Sequence, residues 1–536
     1  MEQKKFQIKI ESILGGHSSF QSFSAKDQFI DSLAIDPDSS GEISALGYIS
    51  PSKQSRFSGS VSNIPMWIDT NPKNSLVYVY DAGGSVYSLD LSANTISGLG
   101  DLNDGGTAAG NGMEYYDNYM YFSRSTTVAR YGPLNGTPAF TDDYWVGILG
   151  KTALSNTTYP TISLVPMPNH ILHRHRSDGK LYIVDVVGNQ GYLHYISTIK
   201  TTVEGDTDDG STYQKVNFGY GEWPTAIESY GSDIVVALYE GSASAESLQK
   251  RAKLSFWDTT SPNFYKIIDV EFPDPVIFAL KNSNGVLYVI SGQFGTYEGV
   301  RVSRFIGGYG FEQVAYIERY TAPTQGAVDA ILNKIIFGTS KSFISGSKFN
   351  GCVLSVGSKH SQISNAIFNI VGGTNTTYAN NEQGQISAVK YAKQNGFVSL
   401  KPIIGWTSGL TGSGENGIDG SSSTGADHPP FQSQWQSQVY KIGRKFKITE
   451  IRLLLSNTVS SFTGTLSPSI WVDDLSTQTN LVVISNTNYP DKRTIIIKPE
   501  NLTGEYNFCL QLDWLFNTQT LPVALPITIE YEILNE

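Results

Sequence analysis

The same hydrophobic pattern recurs seven times between residues 60 and 410. Each copy has a short segment that starts near proline or glycine, a turn rich in Asn, Asp or Gly, and a nearly continuous apolar run. Turn residues of this kind between two apolar segments predict a β-hairpin. The apolar runs of the seven copies are Leu76–Tyr80, Tyr119–Phe122, Leu181–Val184, Ile234–Tyr239, Val286–Ile290, Ile335–Phe337 and Phe397–Leu400.

The spacing of these hairpins predicts a β-propeller. Successive copies start roughly 44 to 62 residues apart, which suits blades of four strands with some long loops. A parallel β-helix would need a shorter and stricter period. The count is seven blades, or six if the last repeat, which ends in Ile403–Trp406, belongs to the next region of the chain.

This architecture predicts that the inner strands are buried, because sheets that pack face to face around an axis cover both sides of those strands. The apolar runs should therefore be inner strands with almost no exposure to solvent. The runs that we expect to be equivalent inner strands are Leu181–Val184, Ile234–Val236, Leu287–Ile290 and Ile335–Phe337.

Two further regions complete an all-β organisation. Residues 407–430 lack an apolar period and are rich in glycine and serine, which predicts a loop or linker. Seven segments in which apolar and polar residues alternate then follow within about 105 residues. This spacing predicts a jelly-roll-like β-sandwich. The predicted order is a strand segment over 1–59 that closes or docks on the propeller, the β-propeller over 60–406, the linker over 407–430 and the β-sandwich over 431–536.

The composition of the chain indicates which fold classes and binding partners are disfavoured and where the protein is made. Charged residues make up 16% of the chain and aromatic residues 12%, which argues against coiled coils and disorder. The formal net charge is −11 without a basic run, so we expect no sequence-specific nucleic-acid partner. Cys352 and Cys509 are too few for a disulfide scaffold. Met1–Ile10 alternates like a strand and no stretch approaches about 18 apolar residues, so we expect synthesis in a cytoplasm and no membrane insertion.

Candidate metal ligands are few. His173 and His175 lie two positions apart in a predicted strand, so their side chains should point to one face and could share a metal ion. The alternative is a charged strand edge. Asp206 and Asp208 lie in a segment with the acid density of a calcium loop but without the EF-hand spacing, and a solvated loop is the alternative.

Candidate sugar-binding residues lie near the C-terminus. Trp471 with Asp473, and Asp513 with Trp514, place carboxylates beside tryptophans, a combination that can stack on a sugar ring and supply an acid and a base. Adjacent residues of a strand face opposite sides, so core tryptophans with surface acids are the alternative. No P-loop and no Gly-x-Ser-x-Gly motif is present. We therefore expect no catalytic site and no cofactor.

The first fifty residues resemble a known family. The segments that carry the resemblance are Ile13–Gly16, Asp27–Pro37, Gly41 and Gly47–Tyr48. They are similar to the opening of propeller-containing virion proteins of tailed bacteriophages, of the tail-nozzle, tail-tip or fibre-adaptor type. In those proteins a Gly-Gly phrase precedes an acidic, strand-forming phrase that leads into the first blade. Gly47–Pro51 departs from the Arg-Pro phrase often found at that place.

The resemblance implies a non-enzymatic structural component of a phage tail that acts through protein–protein contacts and resides in the virion. It implies other tail proteins and further copies of the chain as partners, with a host-surface glycan as a further candidate in host attachment. The alternative function is a carbohydrate- or receptor-binding propeller lectin, or a glycan hydrolase. Because aromatic and uncharged polar residues suit interfaces, we expect residues 407–430, the sandwich and the propeller rim to contact neighbours.

Overall fold

In a computed structural model of the chain, the regular secondary structure of the described part is β-strand, apart from 3-10 turns at Gln325–Ala327 and Val459–Ser461. No helix in this part is long and apolar enough to cross a membrane. The structure describes residues 5–13, 16–17, 28–33, 35, 48–50, 54–72, 76–102, 110–145, 159, 161–162, 165–196, 216–240, 251–261, 268–293, 299–308, 310–318, 320–331, 334–342, 349–357, 363–364, 384–394, 400–407, 416–421, 432–462, 464–473, 477–515 and 521–534.

The chain divides into two compact units, each built from more than one segment. The first, which we call the propeller unit, contains Arg56–Gly351 and Asn381–Gly420. The second, which we call the two-sheet unit, contains Met1–Ser55, Cys352–Asn380 and Ser421–Glu536.

The described residues of the propeller unit form seven blades, numbered here 1 to 7: six are four-stranded antiparallel sheets, and blade 6 is described by an antiparallel pair of strands. A short hairpin, Thr161–Ile162 and Val165–Pro166, lies between blades 2 and 3 in the chain. The strands are Pro65–Thr70, Val77–Asp81, Ser85–Asp90 and Thr95–Asp101 in blade 1; Gly112–Tyr116, Tyr119–Ser123, Val128–Gly132 and Ala139–Trp145 in blade 2; Leu172–Arg174, Leu181–Val187, Gln190–Ile196 and Val216–Tyr220 in blade 3; Glu222–Tyr230, Asp233–Glu240, Lys253–Trp257 and Ile268–Glu271 in blade 4; Val276–Ser283, Val286–Gly292, Val300–Gly307 and Gly310–Ile317 in blade 5; Val328–Ile331 and Lys334–Ser342 in blade 6; and Gln385–Ala392, Lys401–Thr407, Asn416–Ser421 and Gln54–Arg56 in blade 7.

The blades form a closed ring. Each blade packs against the first strand of the next blade, and the first strand of blade 7 packs against the first strand of blade 1. The two ends of the unit meet in blade 7, where the Phe57 N–H donates to the Ile418 carbonyl at 3.1 Å. The predicted β-propeller is confirmed. Its count is seven, because Lys401–Thr407 pairs with Gln385–Ala392 inside the ring.

The second strand of each blade is the most deeply buried, because the neighbouring blades cover both of its faces. Val235, Val289 and Ile336 are all 0% exposed. The four runs predicted to be equivalent are indeed the second strands of blades 3 to 6 and are nearly free of solvent contact. The strands closest to the axis are the first strands, which contain the shorter segments that precede the turns.

Two predicted boundaries in the last repeat were wrong. Leu400 is exposed and outside any strand, and the second strand of blade 7 is Lys401–Thr407, because Ile403 and Ile404 fill the buried position. The glycine- and serine-rich linker contains a strand at Asn416–Ser421, which pairs with Lys401–Thr407. Gly417 fits there because a side chain would meet the Trp406 ring. The stretches 397–399, 408–415 and 422–431 lie outside the described residues.

The two-sheet unit contains two largely antiparallel sheets, here the first and the second sheet. The first sheet has the order Lys5–Ile10, Val523–Ile533, Phe446–Leu455 and Thr494–Ile497, with Tyr48–Ile49 and Thr503–Gly504 at its margins. The second sheet has the order Ile363–Ser364, Gly16–His17, Gln28–Leu33, Gln432–Ser437, Asn507–Leu515, Thr465–Val472 and Thr477–Asn480, with Tyr440–Lys441 beside Asn507–Leu515 and the end of Phe349–Gly357 beside Ile363–Ser364.

One hydrophobic core joins the two sheets. Ile451 and Ile529 enter it from the first sheet, and Ile470, Leu510 and Trp514 enter it from the second. Strands of the unit alternate between buried and more exposed residues, as expected for sheets with one covered face. The jelly-roll connection pattern stays a prediction.

The N-terminal segment is not a separate element. Lys5–Ile10 pairs along Val523–Ile533, and Gln28–Leu33 pairs with Gln432–Ser437. The phrase that resembles phage proteins therefore belongs to the two-sheet unit and does not lead directly into blade 1. The physical reason is hydrophobic: Ile13 and Phe29 are buried in the core of that unit.

Candidate functional site

Each first strand of the propeller carries one ionisable residue directly after a buried apolar residue. Because adjacent strand residues face opposite sides, the apolar member packs between blades and the ionisable member faces the axis. All seven ionisable residues line one pocket. These residues, which we call the axial ring, are Asp69, Glu114, His173, Glu228, Lys281, Asp329 and Lys390 in blades 1 to 7.

The axial ring forms the wall of a pocket of ≈620 Å³. The turn Gln325–Ala327 contacts the first strands of blades 1, 5 and 7. The Gln325 side chain accepts the Leu280 N–H and donates to the Leu280 carbonyl, both at 2.9 Å. A side chain on Gly326 would lie 2.1 Å from the Met66 carbonyl oxygen, so only glycine fits there. The turn therefore fills the centre of the ring and closes the pocket on one side.

Three carboxyl groups of the axial ring bind the backbone of the following blade. In each case the donor is the N–H of the residue directly after the next axial-ring residue. The pairs are Asp69 Oδ2 with the Tyr115 N–H at 3.1 Å, the Glu114 carboxyl with the Arg174 N–H, and Asp329 Oδ2 with the Tyr391 N–H at 2.8 Å.

The two lysines of the axial ring join further blades through ion pairs. Lys390 Nζ lies 2.8 Å from Asp69 Oδ1, which connects blade 7 to blade 1. Lys281 Nζ lies 3.4 Å from Asp329 Oδ1, which connects blade 5 to blade 6. Although burial opposes the charge, Asp69 and Asp329 raise the pKa of Lys390 above its usual value. Although burial acts in the opposite direction, Lys390 and Lys281 lower the pKa of Asp329.

His173 and His175 converge on a serine hydroxyl of blade 4. Ser229 Oγ lies 2.7 Å from His173 Nε2 and 2.8 Å from His175 Nδ1. His175 Nε2 donates to the Ser232 carbonyl at 3.0 Å, so its Nδ1 accepts from the Ser229 hydroxyl. Burial lowers the pKa of His173 to about 4, and the ring is therefore neutral at pH 7. The Asn282 amide donates to the Ser229 carbonyl at 2.8 Å and joins blades 4 and 5.

The predicted pair of histidines thus shares a partner, and that partner is a hydroxyl group. Within the described ranges, no three or more His, Cys, Asp or Glu side chains are arranged to hold a metal ion. Asp206 and Asp208 lie outside the described residues.

Glu114 is the unusual acid of the axial ring. Burial, reinforced by the nearby Asp69, raises the pKa of Glu114 to about 8. Lys390 and Lys281 act in the opposite direction without cancelling this shift. Glu114 therefore holds a proton at neutral pH, and its carboxyl group can donate a hydrogen bond as well as accept one.

The candidate sugar-binding residues of the two-sheet unit lie in different environments. Trp471 and Asp513 are connected through Gln511, whose side chain accepts the Trp471 Nε1–H at 2.6 Å and donates to Asp513 Oδ2 at 2.8 Å. Burial raises the pKa of Asp513. Trp514 is a core residue that donates to the Leu521 carbonyl at 2.9 Å.

The Asp473 side chain stabilises a backbone turn. Its Oδ1 accepts the backbone N–H groups of Glu505 and Tyr506, both at 2.9 Å, and Asp473 itself adopts a positive φ of 49°. These contacts hold a turn and do not pair Asp473 with Asp513.

Sequence reasoning identified His173 and missed the other members of the axial ring. The signal was present in the sequence: an apolar residue followed by an ionisable one recurs in every first strand. The seven copies are Ile68-Asp69, Met113-Glu114, Leu172-His173, Ile227-Glu228, Leu280-Lys281, Val328-Asp329 and Val389-Lys390.

The known proteins found to be similar to this chain are all solved structures. No protein-family model matches the chain, and no curated protein matches it. One similar solved structure is the computationally designed Ika8 protein, with 11% identity, a TM-score of 0.38 and coverage of 69% of this chain and 99% of that chain. Another is the β-propeller domain of Myceliophteria thermophila Cps50 (Swd1), with 10% identity, a TM-score of 0.41 and coverage of 69% and 100%. A third is Chaetomium thermophilum Raptor, with 11% identity, a TM-score of 0.40 and coverage of 69% and 29%.

Proposed function

We propose that this chain is a non-enzymatic structural component of a phage tail, in which the propeller is a rigid ring that acts through protein–protein contacts. The observation that carries the proposal is the use of the axial ring. Its carboxylates, lysines and histidine bind neighbouring blades, as in the Asp69–Lys390, Lys281–Asp329 and His173–Ser229 contacts. Side chains engaged in this way stabilise a ring and are poorly placed to act as free acids or bases.

The tail setting is supported by the N-terminal phrase. Its apolar residues Ile13, Phe29 and Ile35 are buried in the core of the two-sheet unit. A phrase built into a core constrains the fold of that unit, so its resemblance to phage virion proteins concerns a structural part of the molecule. This supports a shared architecture and leaves the position in the tail to experiment.

Antibody labelling of phage particles tests the assignment to the tail. Virions of the phage that encodes the chain would be purified, labelled with an antibody against it and imaged by negative stain. We expect label at one place on the tail. Label that is confined to infected-cell lysate and absent from particles would refute the tail assignment.

The assembly that we propose is a homo-oligomer that also contacts other tail proteins. Components that surround an axis form cyclic assemblies through contacts between different patches of the same chain. A particle reconstruction tests this proposal. It should show neighbouring copies in contact, and a chain that faces only solvent in every copy would contradict it.

A further inference from the structure

Three basic side chains of blades 3 and 5 line the axial pocket, together with Glu228 of blade 4. Arg174 and Arg176 line it at the end of the first strand of blade 3, and Lys281 lines it from blade 5. Both arginine side chains are exposed. The Arg174 guanidinium lies 5.6 Å from the centre of the Tyr116 ring. Within the described part of the chain, no ion pair is found for Arg176. A planar guanidinium that is available in a pocket is suited to bind a carboxylate through two parallel hydrogen bonds.

The same pocket presents acceptors whose charge is already compensated. Asp69 is paired with Lys390, and Asp329 is paired with Lys281. A carboxylate has about four lone-pair positions, so these oxygens can accept further hydrogen bonds after pairing. The protonated carboxyl group of Glu114 adds a donor to the same wall. Neutral hydroxyl groups are the ligand groups that suit this surface.

The balance of charge limits the class of ligand. Four carboxyl groups and four basic side chains line the pocket, and Glu114 is neutral at pH 7. The pocket therefore favours a single negative charge. A polyanion such as a nucleotide would bring further charges against Asp69, Glu228 and Asp329. A cation would be repelled by Arg174 and Arg176.

We propose that the axial pocket binds a sugar acid, with its carboxylate held by Arg174, Arg176 and Lys281 and its hydroxyl groups facing Asp69, Glu114 and Asp329. A volume of ≈620 Å³ lies inside the ~300–1,000 Å³ range of small-molecule sites and accommodates one or two sugar rings. The inference goes beyond the tail assignment and does not depend on it, because binding is measured on the isolated chain and labelling on particles.

Calorimetric titration of the full chain tests the proposal. The probes are glucuronate, galacturonate, mannuronate and N-acetylneuraminate, each also as its uncharged methyl ester. We expect at least one free acid to bind and its ester to bind at least tenfold more weakly, because the ester loses the charge that the arginines recognise. Methyl glycosides of the acids distinguish the two sources of this chemistry. If they bind, the ligand is a residue of a glycan, and if only the reducing sugars bind, it is a free sugar acid; both results support the site.

The matched variants are Arg174→Ala combined with Arg176→Ala, and Arg251→Ala as a control. The Arg174 contact with Glu114 uses the backbone N–H, so the double variant keeps it. Arg251 is an exposed arginine on blade 4 that pairs with Glu271 at 3.5 Å, outside the pocket. We expect the double variant to lose at least tenfold in affinity and the control to bind like the unmodified chain. The proposal is overturned if no sugar acid binds, if esters bind as tightly as acids, or if the double variant binds as tightly as the control.

Discussion

At the scale of single residues, the axial ring shows how one register position takes up different side chains. Asp69, Lys390 and His173 occupy equivalent places in their blades, yet each satisfies its polar atoms with a different kind of partner. Buried charges are tolerated when they are paired and hydrogen-bonded, and an unpaired one is costly. Glu114 avoids that cost by keeping its proton.

Glu114 should make the stability of the propeller unit depend on pH. Its pKa is about 8 in the folded chain and near the ordinary glutamate value when unfolded, so between these values the folded state holds a proton that the unfolded state lacks. The free energy of unfolding therefore falls as pH rises, by about 1.4 kcal/mol per pH unit in this window. Glu114→Gln removes this pH dependence of the free energy of unfolding and keeps a side-chain oxygen that can accept the Arg174 N–H.

Chemical denaturation at pH 5, 6.5 and 8 measures the effect. The stability of Glu114→Gln relative to the unmodified chain should increase steadily from pH 5 to pH 8. Glu312→Gln is the control, since Glu312 is half exposed on blade 5 beside Arg304. A difference for Glu114→Gln that stays constant with pH would mean that the carboxyl group is ionised throughout.

At the scale of elements, the second strands carry the packing of the ring. Val289 is fully buried in blade 5. Val289→Asp would place an unpaired carboxylate between packed sheets, at a cost on the order of 4 kcal/mol or more. Val187→Asp is the matched control, because Val187 ends the second strand of blade 3 and is 39% exposed. The melting temperature should fall strongly for Val289→Asp and change little for Val187→Asp. Equal melting temperatures for the two variants would contradict the assignment of Val289 to a buried inner strand.

The floor of the pocket gives a second prediction at this scale. Gly326→Ala puts a methyl group 2.1 Å from the Met66 carbonyl oxygen, so the turn Gln325–Ala327 must move. We expect a loss of about 1–3 kcal/mol in unfolding free energy, as for overpacked sites. Gly98→Ala in blade 1 has no atom within 4 Å of the new carbon and should be tolerated. If both variants unfold alike, the turn does not fill the centre of the ring.

Local patterns predicted the second strands well because blade packing forces them to be apolar along their whole length. The same rule is wrong for the last repeat, because it predicts the run Phe397–Leu400 whereas the buried strand is Lys401–Thr407, which contains Ile403. The pairing of Lys5 with Glu532 brings together the two ends of the sequence, and no local pattern contains that information. The axial ring lies between these cases. Its repeated apolar-ionisable pairs are visible in the sequence, but the partners depend on which blades become neighbours.

At the scale of the whole chain, ring closure is the property on which the pocket depends. Blade 7 must meet blade 1 for Lys390 to reach Asp69 and for the seven ionisable residues to surround one axis. A chain whose blades were stacked in an open row would leave these two residues far apart. The proposed binding site and the proposed role as a rigid ring both require this one contact.

A double-mutant cycle on Asp69 and Lys390 tests that requirement most directly. Unfolding free energies would be measured for Asp69→Asn, Lys390→Met, the double variant and the unmodified chain, because the cycle isolates the energy of interaction between the two side chains. Ring closure predicts that each single variant is destabilised and that the double variant is less destabilised than the sum of the two, with a coupling of at least about 1 kcal/mol. Effects that add to within about 0.5 kcal/mol would show that the two side chains do not interact, and would contradict the closed ring.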